Sequence, residues 1–367
     1  MPQQRPNIVY FLTDDLGYGD VSCLNPHGKI PTPNVDRLAA EGGTFTDAHS
    51  TSAVCSPSRY SVLTGRYNWR STLQSFIVRQ YGDPLIDEDR LTVAGMLREA
   101  GYYTAAVGKW HLGQGWDFDV TEEFLPAGDH FDNREYPGNP PVTEKTRGRW
   151  REAFSKPTTG GPTSRGFDYY FGVDVPNWPP YCYIENDRTV GIPSEYLPPR
   201  LLGSHQASNP GPAMPYWHFQ QLLPKWAEKA EEVMDSAVAA QKPFFLYMPV
   251  TSPHTPLSPN AKWVGASGLN SPYADLVMET DAVFGQVLDA LDSRGLRENT
   301  LVIFTSDNGF AKYVGSPHLE AQGHYPSAGF RGYKSDAWDG GHRIPLSASL
   351  PGTTPAANSC STSSGST

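Results

Sequence analysis

Cysteine is scarce in this 367-residue chain: Cys23, Cys55, Cys182 and Cys360 stand at spacings that match no metal-binding pattern and support no disulfide framework. Basic charge is also short, with 29 Lys and Arg against 39 Asp and Glu and a net charge of −10. The basic face that a nucleic-acid binder needs is therefore not expected, although a local cationic pocket is compatible with an acidic whole. No window is long and apolar enough to span a membrane, and no internal repeat is visible. No hydrophobic leader precedes the first strand signal near Asn7. As given, the chain reads as cytoplasmic, or as periplasmic or secreted if its start was trimmed.

What is present describes a folded α/β protein. Hydrophobic residues make up 38% and charged residues 19%, outside the disordered range, while 35 Gly and 34 Pro predict many shaped loops. Asn7–Leu12 is a short apolar run with β-branched and aromatic members, as a buried parallel strand requires, and it ends in Thr13-Asp14-Asp15. Residues 32–42 carry a Thr N-cap, Pro33 at the first helical position and a closing Gly42. Leu91–Gly101 reads as a helix and Tyr103–Gly108 as a strand ending in Lys109. Helices over Trp226–Ala240 and Tyr273–Arg294 alternate with strands over Pro243–Val250 and Thr300–Ser306. Such alternation predicts a mostly parallel sheet covered on both faces, with ligands gathered beyond the carboxyl ends of its strands. Between 112 and 222 periodicity is lost, and the stretch reads as a loop-rich, substrate-shaping insertion. Residues 346–367, almost all Ser, Thr, Ala, Pro and Gly, read as a disordered low-complexity tail.

The most informative segment is Val54-Cys55-Ser56-Pro57-Ser58-Arg59, followed by Leu63-Thr64-Gly65-Arg66. It closely resembles the signature of the type I sulfatases, members of the alkaline phosphatase superfamily. In them this cysteine is oxidised to Cα-formylglycine, whose hydrate attacks a sulfate ester. Lys109-Trp110-His111-Leu112-Gly113 and Pro253-His254-Thr255-Pro256 match two further signatures of that family. The run Asp339-Gly340-Gly341-His342-Arg343 resembles the arylsulfatase A and N-acetylgalactosamine-6-sulfatase type. The resemblance covers residues 7 to 345 as a catalytic domain. It implies an alkaline-phosphatase-like fold, a mostly parallel sheet sandwiched by helices. It also implies a small antiparallel C-terminal subdomain, of which only Leu350-Pro351-Gly352 gives an echo, so a truncation or frameshift after Pro345 is expected.

The resemblance also implies roles. Asp14, Asp15, Asp307 and Asn308 become the ligands of one calcium ion; oxygen donors of this kind suit hard cations and leave magnesium open from residue types alone. Cys55 becomes the formylglycine and Arg59 its polarising cation. Lys109 and Lys334 hold sulfate oxygens, His111 removes the proton from the second hydroxyl of the hydrate, and His254 protonates the leaving oxygen. His342 and Arg343 read as structural or peripheral. Trp178, Tyr181, Trp217 and His218 are candidates to stack on a sugar or aryl ring. The expected reaction is hydrolysis of aryl or carbohydrate sulfate monoesters, and a formylglycine-generating enzyme is the implied maturation partner. A formylglycine-dependent phosphodiesterase or phosphonate monoester hydrolase is the enzymatic alternative, and an inactive calcium-binding remnant is the non-enzymatic one.

Overall fold

A computed structural model describes residues 5–128, 136–203, 208–351 and 358–360. Its strands are β1 (Asn7–Thr13), β2 (Gly43–Phe45), β3 (Tyr103–Lys109), β4 (Tyr169–Val173), β5 (Ile184–Glu185), β6 (Arg188–Thr189), β7 (Glu195–Tyr196), β8 (Pro212–Ala213), β9 (Phe244–Pro249), β10 (Thr300–Ser306), β11 (Leu346–Ser349) and β12 (Asn358–Cys360). Its α-helices are α1 (Pro33–Glu41), α2 (Cys55–Thr64), α3 (Val93–Glu99), α4 (Glu144–Phe154), α5 (Leu222–Ala239), α6 (Pro272–Ser293), α7 (Ser316–Ala321) and α8 (Asp339–His342). None of the described helices is long and apolar enough to cross a membrane.

One sheet contains ten strands in the order β12-β2-β11-β10-β1-β9-β3-β4-β5-β6. Its centre, β10 through β4, is parallel throughout, and the flanking pairs β10–β11 and β4–β5 are antiparallel. Alternation within the strands decides which layer each side chain joins. Val9 and Phe11 of β1, with Leu246 and Met248 of β9, pack on the face covered by α1, α5 and α6. Ile8, Tyr10 and Leu12, with Phe245 and Tyr247, pack on the face covered by α2 and α3. Both faces are therefore dry, which is why these strands read as continuous apolar runs. Each fully buried Leu or Phe contributes about 1.5–3 kcal/mol to holding the layers together.

The start of α1 is capped from a distance. Thr32, the expected cap, makes no cap bond and instead pairs its hydroxyl with Ser22, 2.9 Å away. Asp281 of α6 does the capping: its Oδ1 accepts from the amides of Asn34 at 3.1 Å and Val35 at 2.9 Å. A carboxylate there also meets the positive end of the helix dipole.

Two sequence expectations need correction. The stretch 112–222 contains α4 and also β4, which extends the central sheet and pairs with β3 from Ala105↔Tyr169 to Lys109↔Val173. The tail after Pro345 begins with a strand: β11 pairs with β10 from Val302↔Ser349 to Thr305↔Leu346, and β12 pairs with β2. The buried positions of β11 are Ser347 and Ser349, so no apolar face announces the strand. Its pairing is supplied by β10, and Ser349 is held by bonds to Glu41 and Arg297 at 3.2 and 3.0 Å. Residues 352–357 and 361–367 of the tail lie outside the described residues. Cys23, Cys55 and Cys182 are free thiols.

Candidate active site

Four neighbouring parallel strands deliver their carboxyl ends to one place. β1 leads directly into Asp14 and Asp15, β10 into Asp307 and Asn308, β3 ends at Lys109, and β9 leads into His254. Helix α2 supplies Cys55 at its first turn, with Arg59 one turn further on. Gly65, at a φ of 66°, ends that helix in the left-handed conformation and donates its amide to Ser61 O at 2.8 Å. Gly309 is required for a different reason. A Cβ there would lie 2.0 Å from the carbonyl oxygen of Gly340, so the strand carrying Asn308 could not approach the turn before His342.

Buried ion pairs organise the cluster. Arg59 donates Nε and Nη2 to Asp307 Oδ2 at 3.0 and 2.7 Å, and its Nη2 lies 3.4 Å from Asp14 Oδ1. Lys109 donates to Asp14 Oδ2 at 2.8 Å, and Lys334 donates to Asp15 Oδ2 at 2.8 Å and to Cys55 Sγ at 3.5 Å. The Cys55 thiol in turn faces Asp14 Oδ1 at 3.7 Å. Asn308 donates Nδ2 to Asp15 Oδ1 at 2.7 Å, while its Oδ1, fully buried, has no partner among the described residues. His254 Nε2 lies 3.6 Å from Asp15 Oδ2, its Nδ1 being occupied by the Thr255 carbonyl at 2.8 Å. The ligand atoms of Asp14, Asp15, Cys55 and His254 all fall within 4.8 Å of one another.

Electrostatics follow from dense charge in a dry place. Burial opposes ionisation of Asp14, but Lys109, His254, Arg59 and Lys334 overcome it and hold the carboxyl well below its usual range. Burial and the neighbouring Asp14 push Asp307 up to about 6, against the pull of Arg59. Burial raises the Cys55 thiol to about 12 in spite of Lys109 and Lys334, so the unmodified thiol stays protonated and is a weak nucleophile. Burial also lowers His254 to about 4, against the attraction of Asp14 and Asp15. Burial, reinforced by Lys109 and Arg59, lowers His111 well below its ordinary value.

His111 stands slightly apart. Its Nε2 pairs with the Val78 carbonyl at 3.2 Å, so that nitrogen carries the proton and Nδ1, buried and unpartnered among the described residues, carries a lone pair. Its backbone φ of 56°, like the 66° of Asp15, lies in the left-handed region, a conformation that costs about 1–3 kcal/mol and gathers at functional sites.

Sequence reading missed Asp174. It follows β4, is 7% exposed, and leaves Oδ1 without a partner among the described residues. Burial raises its carboxyl to about 7, and its carbonyl accepts from the His111 amide at 3.0 Å. The signal, an Asp at a strand's carboxyl end, is masked in the sequence because β4 lies in a stretch without clear periodicity. Of the four proposed ring-stacking residues, Trp178 does border the site, edge-on to His111 with ring centroids 5.6 Å apart. His218 is exposed on the surface. Tyr181 and Trp217 instead belong to the core, 1% and 7% exposed.

The chain as a whole is similar to known proteins. A sequence profile of the family described as Sulfatase matches residues 6–365. The chain belongs to the sulfatase family. It is 32% identical over 379 residues to an N-acetylgalactosamine-6-O-sulfatase of Bacteroides thetaiotaomicron, covering 94% of this chain and 67% of that one. It is likewise 32% identical over 348 residues to human arylsulfatase A, covering 95% of this chain and 59% of that one. A solved sulfatase from Bacteroides thetaiotaomicron, described with glycosaminoglycan metabolism, superposes with a TM-score of 0.75 at 31% identity, covering 95% of this chain and 72% of that one. The match reaches beyond Pro345, to residue 365, so the segment carrying β11 and β12 belongs to the same family domain. This sulfatase chain thus spans about three fifths of the length of the mammalian relatives it matches.

Proposed function

We propose that the chain hydrolyses sulfate monoesters, with a sulfated carbohydrate as the natural substrate, and that Cys55 is the residue converted to formylglycine. The observation that carries this reading is the position of Cys55 Sγ, 3.5 Å from Lys334 Nζ and 3.7 Å from Asp14 Oδ1, at the first turn of α2. A nucleophile there meets cations and the amide end of a helix, both complementary to a bound sulfate. The bacterial relative named for N-acetylgalactosamine 6-sulfate ester cleavage supports the carbohydrate class.

Asp14, Asp15, Asp307 and Asn308 fit a hard divalent cation. Three carboxylates and the unpartnered amide oxygen of Asn308 form an all-oxygen donor set, which suits calcium. When bound, such an ion polarises a sulfate oxygen and acidifies the nucleophile. The chain's own residues do the rest. Lys109 and Lys334 hold the non-bridging sulfate oxygens, and Arg59 keeps Asp307 oriented while facing the nucleophile. His111 Nδ1, with its lone pair free, takes up a proton. His254 Nε2 supplies one to the leaving oxygen; the negative charge of bound sulfate raises its proton affinity, against the burial that lowers it. Asp174 and Trp178, beside His111, border the space a sugar would occupy.

The test is hydrolysis of a chromogenic aryl sulfate and of 6-sulfated N-acetylhexosamines by protein co-expressed with a formylglycine-generating enzyme, with Cys55→Ala as the blank. Turnover above the blank supports the reading. Turnover of a phosphodiester or phosphonate in place of the sulfates would transfer the site to the phosphoryl alternative. No turnover by protein whose Cys55 peptide has the aldehyde mass would leave the calcium-binding remnant.

A further inference from the structure

A second group of ligand atoms lies outside this cluster, where the segment leading to Cys55 meets α8. His49 Nδ1 and His342 Nδ1 face each other at 2.9 Å, and Asp339 belongs to the same group, one ring nitrogen of each histidine and one of its carboxylate oxygens all lying within 4.8 Å of one another. The other nitrogen of each ring is already committed. His49 Nε2 pairs with Asp47 Oδ1 at 3.1 Å and His342 Nε2 with the Ala337 carbonyl at 3.3 Å.

A carboxylate and a carbonyl only accept, so both Nε2 atoms carry the proton. In the neutral rings this leaves two Nδ1 lone pairs pointing at each other. No hydrogen bond satisfies that arrangement; it needs a positive charge between the rings. Orientation of a ring by an oxygen acceptor on its far nitrogen is the arrangement that metal-binding histidines use. Two donor atoms of a tetrahedral zinc ion with bonds of about 2.0 Å stand roughly 3.3 Å apart, a few tenths of an ångström wider than the spacing here. Two imidazoles and one carboxylate favour a borderline divalent metal over calcium.

We propose that His49, His342 and Asp339 form a zinc-class metal site, distinct from the oxygen-lined cluster at Cys55. It closes a junction that the backbone already aligns. Ser50 donates its amide to the His342 carbonyl at 2.8 Å, Ser335 donates to Ala53 O at 2.9 Å, and Arg343 Nη1 pairs with Asp47 at 3.1 Å. A metal here would clip the segment that positions Cys55 to the one that positions Lys334, holding nucleophile and cation in register.

The experiment is calorimetric titration of Zn2+ into the full chain kept saturated with calcium, alongside His49→Gln and His342→Gln. The expected result is one zinc site per chain in the parent, weakened at least tenfold in either variant, with the zinc-free melting temperatures unchanged. Cu2+ electron paramagnetic resonance on the parent gives an independent readout, expected to show two nitrogen ligands. No zinc binding to the parent would overturn the proposal and assign the pair a shared proton. Equal zinc binding by parent and variants, or a copper spectrum without nitrogen ligands, would overturn it as well.

Discussion

Arg59 and Asp307 form an ion pair with both side chains fully buried, two guanidinium nitrogens meeting one carboxylate oxygen at 2.7 and 3.0 Å. Asp14 is the guanidinium's second acidic neighbour, at 3.4 Å. Removing the guanidinium leaves Asp307 without its cation in a dry site, while Asp14 keeps Lys109 at 2.8 Å. Arg59→Ala is expected to destabilise the fold by about 3–5 kcal/mol, measured by urea denaturation. Arg59→Lys keeps the charge but loses the paired contact, and is expected to fall between. An alanine variant as stable as the parent would show that the pair is not needed to hold the strand ends.

Chelation should act on stability as well as turnover. The oxygen donors at 14, 15, 307 and 308 exist together only in the folded chain, so a bound ion favours folding. Calcium at a hundred times its dissociation constant is expected to add about 2.7 kcal/mol, seen as a fall in melting temperature on adding EDTA. Asn308→Ala removes the unpartnered amide oxygen and should shrink that calcium-dependent shift. An unchanged shift would remove Asn308 from the ligand set.

His111 is buried, and Lys109 and Arg59 add to the pressure against its protonation. It should therefore stay neutral through the working pH range and serve as an acceptor. His111→Gln retains a donor toward Val78 and loses the basic nitrogen. A general base contributes about 10²–10⁴-fold, so kcat should fall by that order while KM changes less. Equal losses in both would mark His111 as a binding group.

Asp281 governs a separate pH effect. Burial pushes its carboxyl up to about 6, although the amides at Val35 and Asn34 favour the charged form. The folded value lies above the unfolded one, so the folded chain binds this proton more tightly. The associated stability is fully present below the unfolded carboxyl range and is lost as pH rises through about 6. Compared with Asp281→Asn, the parent should lose up to about 3 kcal/mol of relative stability between roughly pH 4 and pH 7. A pH-independent difference between the two in thermal denaturation would contradict this.

Much of the fold was legible because the central strands β1, β3, β9 and β10 are apolar on both faces, and because proline and glycine punctuate α1. Local pattern also identified the carboxylates at strand ends and the segment around Cys55. What it could not show was any property supplied by a partner far along the chain. β11 is a strand because β10 offers it hydrogen bonds, not because Leu-Ser-Ala-Ser favours one. Thr32 carries a cap signal, yet Asp281, 247 residues beyond Asn34, caps α1. Tyr181 and Trp217 have the composition of ring-stacking loop residues, but packing places them in the core.

The sequence by itself determined the chemistry available: which carboxylates, cations, imidazoles and thiol the chain possesses, and on which strands and turns they stand. Only the tertiary structure decided their state. Whether Cys55 is a protonated thiol, whether His111 keeps a free lone pair, and whether His49 meets His342 depend on distances across the fold and on exclusion of water. Those distances exist only once β10, β1, β9 and β3 lie side by side.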